Sequence, residues 1–342
     1  MQRSSWLVAF LLGIFCVHAA VAAPTRIRFT LDWKFQGVHA WYYLALKKGY
    51  FAQEGLDVQI DQGEGSAATV PRIMTGTYDA GFGDINAIIQ NAGLHPGEAP
   101  VMVYMIYNNA PFVLAAMKDG PIKTIADLEG HSLGSPAGSA ALALMPTIES
   151  INHIDPKTVK IVNMAPNLLE QMLAKKQVDV GVTYNITTYM NLFAMHVDPE
   201  TEVRWFYFKD FGIDLYSNGV MVSKALLRDK PDAVRGLVRA INHAIKDVAA
   251  NPDEGIAAVA EREPLLDRKI EKLRMLYAFK TLMDTPEVKA NGLGDVTDAK
   301  LASSIDLITK TFALPRRPES SEIFDRSFLP PKSERETTFP PS

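Results

Sequence analysis

The chain has 342 residues, 47% of them hydrophobic, and sets 35 Lys and Arg against 39 Asp and Glu for a formal net charge of −4. That mild acidity argues against nucleic acid and anionic membrane as main partners, and the length suits about two domains. The single cysteine, Cys16, and seven histidines without metal-ligand spacing leave no Cys-based or His-Glu-x-x-His metal site and imply no cofactor.

Residues 1–23 have the pattern of a cleaved export signal. Arg3 supplies the basic start, Trp6 to Val17 the apolar run, and Ala20-Val21-Ala22-Ala23 the small-residue cleavage site before Pro24. The run is shorter than the roughly 20 residues a spanning helix needs. Phe15 stands before Cys16 where a lipoprotein signal wants a small residue, so the cysteine leaves with the signal. The mature chain is then expected in the periplasm, with no disulfide and no thiolate nucleophile.

In chain order, Arg26–Trp33 alternates in β-forming residues and predicts a strand, His39–Lys48 a helix closed by Gly49, and Leu56–Ile60 a second strand. Such a βαβ unit builds a parallel sheet with ligands at the carboxyl ends of its strands, where Asp32 and Trp33 fall. The glycine-rich loop Gln62–Ser66 leads into a helix over Ala67–Thr75, with Ser66 placed to cap it. Tyr78–Phe82 and Val101–Tyr107 are strands around a helix at Ile85–Ala92.

A second half repeats this grammar. Strands are expected at Phe112–Met117, Gly130–Ser135, Val159–Asn163, Val178–Thr183, Val203–Phe208 and Gly219–Ser223. Helices fall between them, one opening at Gly138-Ser139 and another at Asn167–Lys175. Beyond Pro231 the pattern is helical over Pro231–Ala250, Asp253–Glu261 and Ile270–Lys280. The proline-punctuated tail predicts an extended arm with one short ordered segment near Phe324–Leu329 and a loose end.

The ordered run Leu31-Asp32-Trp33, then His39, Gly49-Tyr50-Phe51 and Glu54-Gly55-Leu56-Asp57-Val58, resembles bacterial solute-binding proteins related to the fungal thiamine pyrimidine precursor synthases. Met74–Gly83, Asp127–Gly130 with Gly138-Ser139, and Lys230–Arg235 agree with it, so the resemblance spans nearly the whole mature chain. The wider superfamily includes binding proteins for taurine, alkanesulfonates and nitrate. The resemblance implies a type II periplasmic binding protein: two doubly wound α/β lobes with a ligand cleft between them and an ABC permease in the inner membrane as partner. Lobe I would take residues 24–110 and 221–314, lobe II 111–220, and 315–342 would form the arm, in a monomer. The crossovers would fall near Asn108–Phe112 and Ser217–Val220. One departure bears on specificity: Phe35-Gln36 stand where relatives that bind thiamine pyrimidine precursors carry Pro-Asn.

Within that frame Trp33 either stacks on a planar ligand or plugs the sheet end, and Asp32 either accepts from an amino-bearing ring or caps a turn. His39 matches the family's histidine, facing the cleft from a helix start or held structurally. Ser66, Gly138 and Ser139 present helix-start amides that suit an anion or carbonyl, or simply cap their helices. Tyr184 and Asn185 close a lobe II strand as a stacking wall and a two-way amide; Asp84, Asn108 and Asn109 are weaker candidates. The leading reading is capture of a small planar heterocycle such as a thiamine pyrimidine precursor, with a small organic anion (alkanesulfonate, taurine or aromatic carboxylate) as the alternative. No catalytic residue is assigned: the cysteine-rich motif of the fungal synthases is absent, and Gly134-Ser135-Pro136 departs from a nucleophile elbow. A periplasmic enzyme acting on a pyrimidine, with His39 as general base, is the alternative of another class.

Overall fold

The computed structural model describes residues 23–341, so the export segment lies outside the described residues except for Ala23. Ten strands form two five-stranded mixed sheets. Lobe I holds β1 (Thr25–Thr30), β2 (Leu56–Asp61), β3 (Ala80–Asp84) and β4 (Val101–Met105). Lobe II holds β5 (Phe112–Met117), β6 (Ser132–Ser135), β7 (Lys160–Asn163), β8 (Val180–Tyr184) and β9 (Val203–Tyr207). The chain then returns to lobe I as β10 (Asn218–Val222).

The sheet orders are β2-β1-β3-β10-β4 and β7-β6-β8-β5-β9. β1 runs parallel to β2 and β3, and β6 runs parallel to β7 and β8. The antiparallel member of each sheet is a strand that arrives directly from the other lobe: β10 between β3 and β4, β5 between β8 and β9. Sequence periodicity expected two doubly wound halves and could not see this reversal. The return crossover is complete by Ser217, so Asn218–Val220, expected in lobe II, open a lobe I strand.

Burial explains why the first helix reads as almost continuously apolar. Helix Ala40–Lys47 packs under β1 and against helices Pro231–Ala250 and Pro252–Arg262, leaving Trp41 and Tyr42 fully buried. Tyr42 lies 5.1 Å from Phe29 and 5.7 Å from Phe82, ring centroid to centroid, tying the helix to β1 and β3. The carboxyl ends of β1 and β3 therefore sit on a rigid floor. Among the described residues no helix is long and apolar enough to cross a membrane.

The C-terminal arm is not loose. Short helices at Ser320–Ile323 and Lys332–Arg335 flank a turn at Arg326–Phe328, all packed on lobe I. Phe328 joins the apolar core, and the Phe339 ring packs at a tilt on Phe279, centroids 4.8 Å apart. Arg335, almost wholly buried, donates to the carbonyls of Pro330, Asn291 and Leu293. Proline content suggested an extended tail because it forbids long helices; it does not forbid docking through side chains. Arg335→Met would strand those three carbonyls, and a loss of about 3 kcal/mol is expected in urea unfolding.

Candidate functional site

The site is built where β1 and β3 end in lobe I and where β6 and β8 end in lobe II. Asp32 follows β1 and is only 6% exposed. Its Oδ1 accepts from His39 Nε2 at 2.8 Å, and its Oδ2 accepts from Ser66 Oγ at 3.1 Å and Asn218 Nδ2 at 2.8 Å. The backbone N–H of Gln36 donates to His39 Nδ1 at 3.1 Å, which leaves the proton on Nε2 and fixes the tautomer aimed at Asp32. Both ring nitrogens are thus occupied.

The network crosses to lobe II. Asn218 Nδ2 also donates to Ser66 Oγ at 3.0 Å, and Asn218 Oδ1 accepts from the Tyr184 hydroxyl at 2.9 Å. Ser217 Oγ donates to the same oxygen at 3.1 Å. Burial pushes the Tyr184 phenol well above its ordinary range, so it remains a donor. The lobes also meet backbone to backbone: the Ala67 amide donates to the Gly138 carbonyl at 3.2 Å. A Cβ on Gly65, at φ +146°, would run into the Gly138 backbone, so this approach needs glycine.

Between the lobes lies a cavity of about 30 Å³, so the closed lobes leave room for little more than a water or two between their facing walls. Of the residues expected from sequence, Asp32, Trp33, Ser66, Ser139 and Tyr184 line it. His39 does not: it is fully buried behind Asp32, because the helix it opens is packed into the core. Ser66 does not cap a helix, since that helix begins only at Thr69; its hydroxyl is given to Asp32 instead. Ser139 does cap, but its helix is the single turn Ala140–Ala143. Gly138 sits at the lobe contact and spends its carbonyl there.

Asp84, Asn108, Asn109 and Asn185 stand outside the cavity. Asp84 caps helix Ile85–Leu94 by accepting from Ala87 N, and Asn108 Nδ2 donates to the Asp295 carbonyl at 3.0 Å. Asn109 donates to the Thr281 carbonyl at 3.0 Å, and with Asn185 borders a separate hollow beside Tyr277. Gln36, which the sequence marked only as a departure bearing on specificity, lines the cavity, as do Tyr107, Glu170 and Thr187, which sequence reasoning passed over. Tyr107 is buried, and its hydroxyl has no partner among the described residues. Glu170, 4% exposed, accepts from Thr188 Oγ1 at 2.7 Å.

Two mixed sheets closed over a buried carboxylate, with strand ends from both facing one cavity, define a two-lobed binding protein of the periplasmic type. The chain belongs to the NMT1/THI5 like family, whose model matches residues 36–255. It is similar to the riboflavin-binding protein RibY of Chloroflexus aurantiacus, 27% identical over 222 residues that cover 62% of this chain and 59% of the relative. The chain therefore spans under two thirds of that relative's length. It is also similar to the formylaminopyrimidine-binding protein of Halalkalibacterium halodurans, 23% identical over 237 residues, covering 68% of this chain and 69% of the relative. Among solved structures, a protein from Bordetella bronchiseptica RB50 matches with a TM-score of 0.71 and 17% identity over 90% of this chain and 96% of that one. The alkanesulfonate-binding protein SsuA from Xanthomonas axonopodis pv. citri, bound to MOPS, matches with a TM-score of 0.65 and 14% identity, covering 89% and 99%. These two likenesses establish the shared fold.

Burial pushes the Asp84 carboxyl up to about 7, against the pull of Asn86 and the Ala87 amide. Between the ordinary carboxylate range and about 7 the folded protein binds more protons than the unfolded chain, so this group makes stability fall as pH rises through that window. Asp84→Asn removes the titration. Its Tm is expected to match the parent's near about pH 4 and to exceed it by a few degrees at about pH 8, read by scanning calorimetry.

Proposed function

We propose that the chain is the periplasmic solute-binding component of an ABC importer and closes on a flat, amino-bearing heterocycle. One observation carries the choice of ligand. The cavity is lined by Trp33, Tyr107 and Tyr184 together with the acidic side chains of Asp32 and Glu170, and by no Lys, Arg or His among the described residues. A desolvated sulfonate or carboxylate placed beside two acids with no cation is repelled by several kcal/mol, whereas ring N–H and amino groups find acceptors.

The helix-start amides that would favour an anion offer little: Ala67 N–H is spent on Gly138, and the Ser139 amide donates to the Pro136 carbonyl at 3.0 Å. Trp33 supplies a face for stacking, and Asp32 is pre-oriented by three donors, so little is lost in ordering it on binding. The names of the riboflavin-binding and formylaminopyrimidine-binding relatives support a flat nitrogen heterocycle. The export signal read from residues 1–23 supports the compartment. Cleft closure then presents the permease with a defined shape, and binding requires no chemistry.

A thermal-shift screen of the mature protein checks the ligand class. Aminopyrimidines or isoalloxazines at about a hundredfold excess over Kd should add ~2.7 kcal/mol of stability, while taurine, alkanesulfonates and nitrate leave the midpoint unmoved. Trp33→Ala is expected to weaken the active ligand by ~1 kcal/mol or more. Glu170→Gln should weaken an amino-bearing ligand about tenfold; a sulfonate that binds, and binds tighter to that variant, would reverse the assignment.

A further inference from the structure

Arg274 lies in helix Arg268–Ala278, which packs on the turn Gly37–His39 and helix Pro252–Arg262 of lobe I and, on its other side, on helix Asn185–Ala194 of lobe II. Its side chain is nearly fully buried, yet it touches neither the cavity nor the Asp32 network. Every one of its five N–H donors is used. Nε and one Nη2 proton go to Glu271, at 2.9 and 3.0 Å. The other three cross to lobe II: Nη1 to the carbonyls of Ile186 at 2.8 Å and Thr187 at 3.0 Å, and Nη2 to Asn191 Oδ1 at 2.8 Å.

Glu271 works in the opposite direction. Its Oε2 accepts the Gly37 amide at 2.6 Å. Gly37 sits between Gln36 and Val38, which line the cavity from lobe I, while Ile186 and Thr187 line it from lobe II. A Cβ on Gly37 would collide with the Glu271 carbonyl, so the turn is seated directly on this helix. One buried ion pair thus holds the backbone behind both facing walls of the cavity.

We propose that Arg274 and Glu271 are positioning residues for ligand capture: they latch the two lobes in the closed form and set the spacing of the cavity walls without touching the ligand. A guanidinium this buried is tolerated only with its donors paired, and three of the five partners exist only while lobe II is against lobe I. Opening exchanges those three fixed acceptors for water, so the pair biases the open–closed equilibrium before any ligand arrives. The affinity of a cleft-binding ligand scales with the fraction of closed-competent protein. Because the cavity closes over its ligand, loss of the latch acts on escape rather than entry. The latch rests on the cleft being the binding site, but its effect on the lobes does not depend on which ligand binds.

The mature chain from Pro24 carries no cysteine, so Asp57→Cys on lobe I and Lys157→Cys on lobe II, both exposed, accept spin labels cleanly. Pulsed dipolar spectroscopy on ligand-free protein should show a closed distance population that falls at least about fivefold in Arg274→Met and by less in Asn191→Ala, which removes one lobe II acceptor and leaves the Arg274–Glu271 pair intact. With an aminopyrimidine ligand, the dissociation rate should rise by about the same factor while the association rate changes less than about twofold. Ligand-free protein without a closed population, or one that both variants retain, overturns the latch. A purely structural role would lower Tm in these variants and leave the distance distribution unmoved. Because the first measurement uses no ligand, failure of the heterocycle reading would appear only in the second.

Discussion

The arrangement hangs on one buried carboxylate. Asp32 sits at the end of a strand, almost shut off from water, and three donors from separate parts of the chain converge on it. An acid that deep is tolerable only when it is hydrogen-bonded. Its partners are therefore fixed: a histidine held in one tautomer, a serine diverted from capping, and an asparagine whose carbonyl reaches the tyrosine of the other lobe. The open edge of Asp32 is left facing the cavity. Preorganisation at this point follows from the cost of leaving the charge alone.

Two separate polar systems span the lobes, and they divide the labour. The Asp32 network reaches the cavity wall through Asp32, Ser66 and Tyr184. The Arg274–Glu271 pair lies behind it and meets only protein. Between them the glycine contact at Gly65 and Gly138 lets the backbones approach. A ligand that pairs Tyr107 and the two acids completes a set of hydrogen bonds in which the protein has already placed its half.

The legible parts of the sequence were those governed by local rules. Asp32 and Trp33 could be placed because an alternating strand has a readable end, and ligands gather at such ends in α/β sheets. Tyr184 followed from the same rule in lobe II. Asn218 escaped because its importance is made by β10 returning antiparallel into the first sheet, 186 residues from Asp32. Its neighbour Ser217 marked a crossover in the sequence, and crossovers end in the cleft; that was the available signal. Glu170 escaped because helix Leu169–Ala174 reads as an ordinary amphipathic segment, and nothing local says that this acid borders the cavity. His39 could be read from sequence either as facing the cleft or as held structurally; its contact with the Asp32 carboxylate, from behind the cavity, becomes visible only in the packed fold.

The docked arm has a consequence for the order in which the molecule can be assembled. Lobe II is one uninterrupted run of chain from Phe112 to Tyr207. Lobe I needs both ends: β1 near the start, β10 and three long helices later, and Arg335 almost at the finish. A chain made from its N-terminus can therefore complete its second lobe while its first is still waiting for material. Until helices Pro231–Ala250 and Pro252–Arg262 are made, the half-built first sheet leaves Trp41 and Tyr42 uncovered. The protein's vulnerable interval is thus long, and it falls on the older part of the chain rather than the newer.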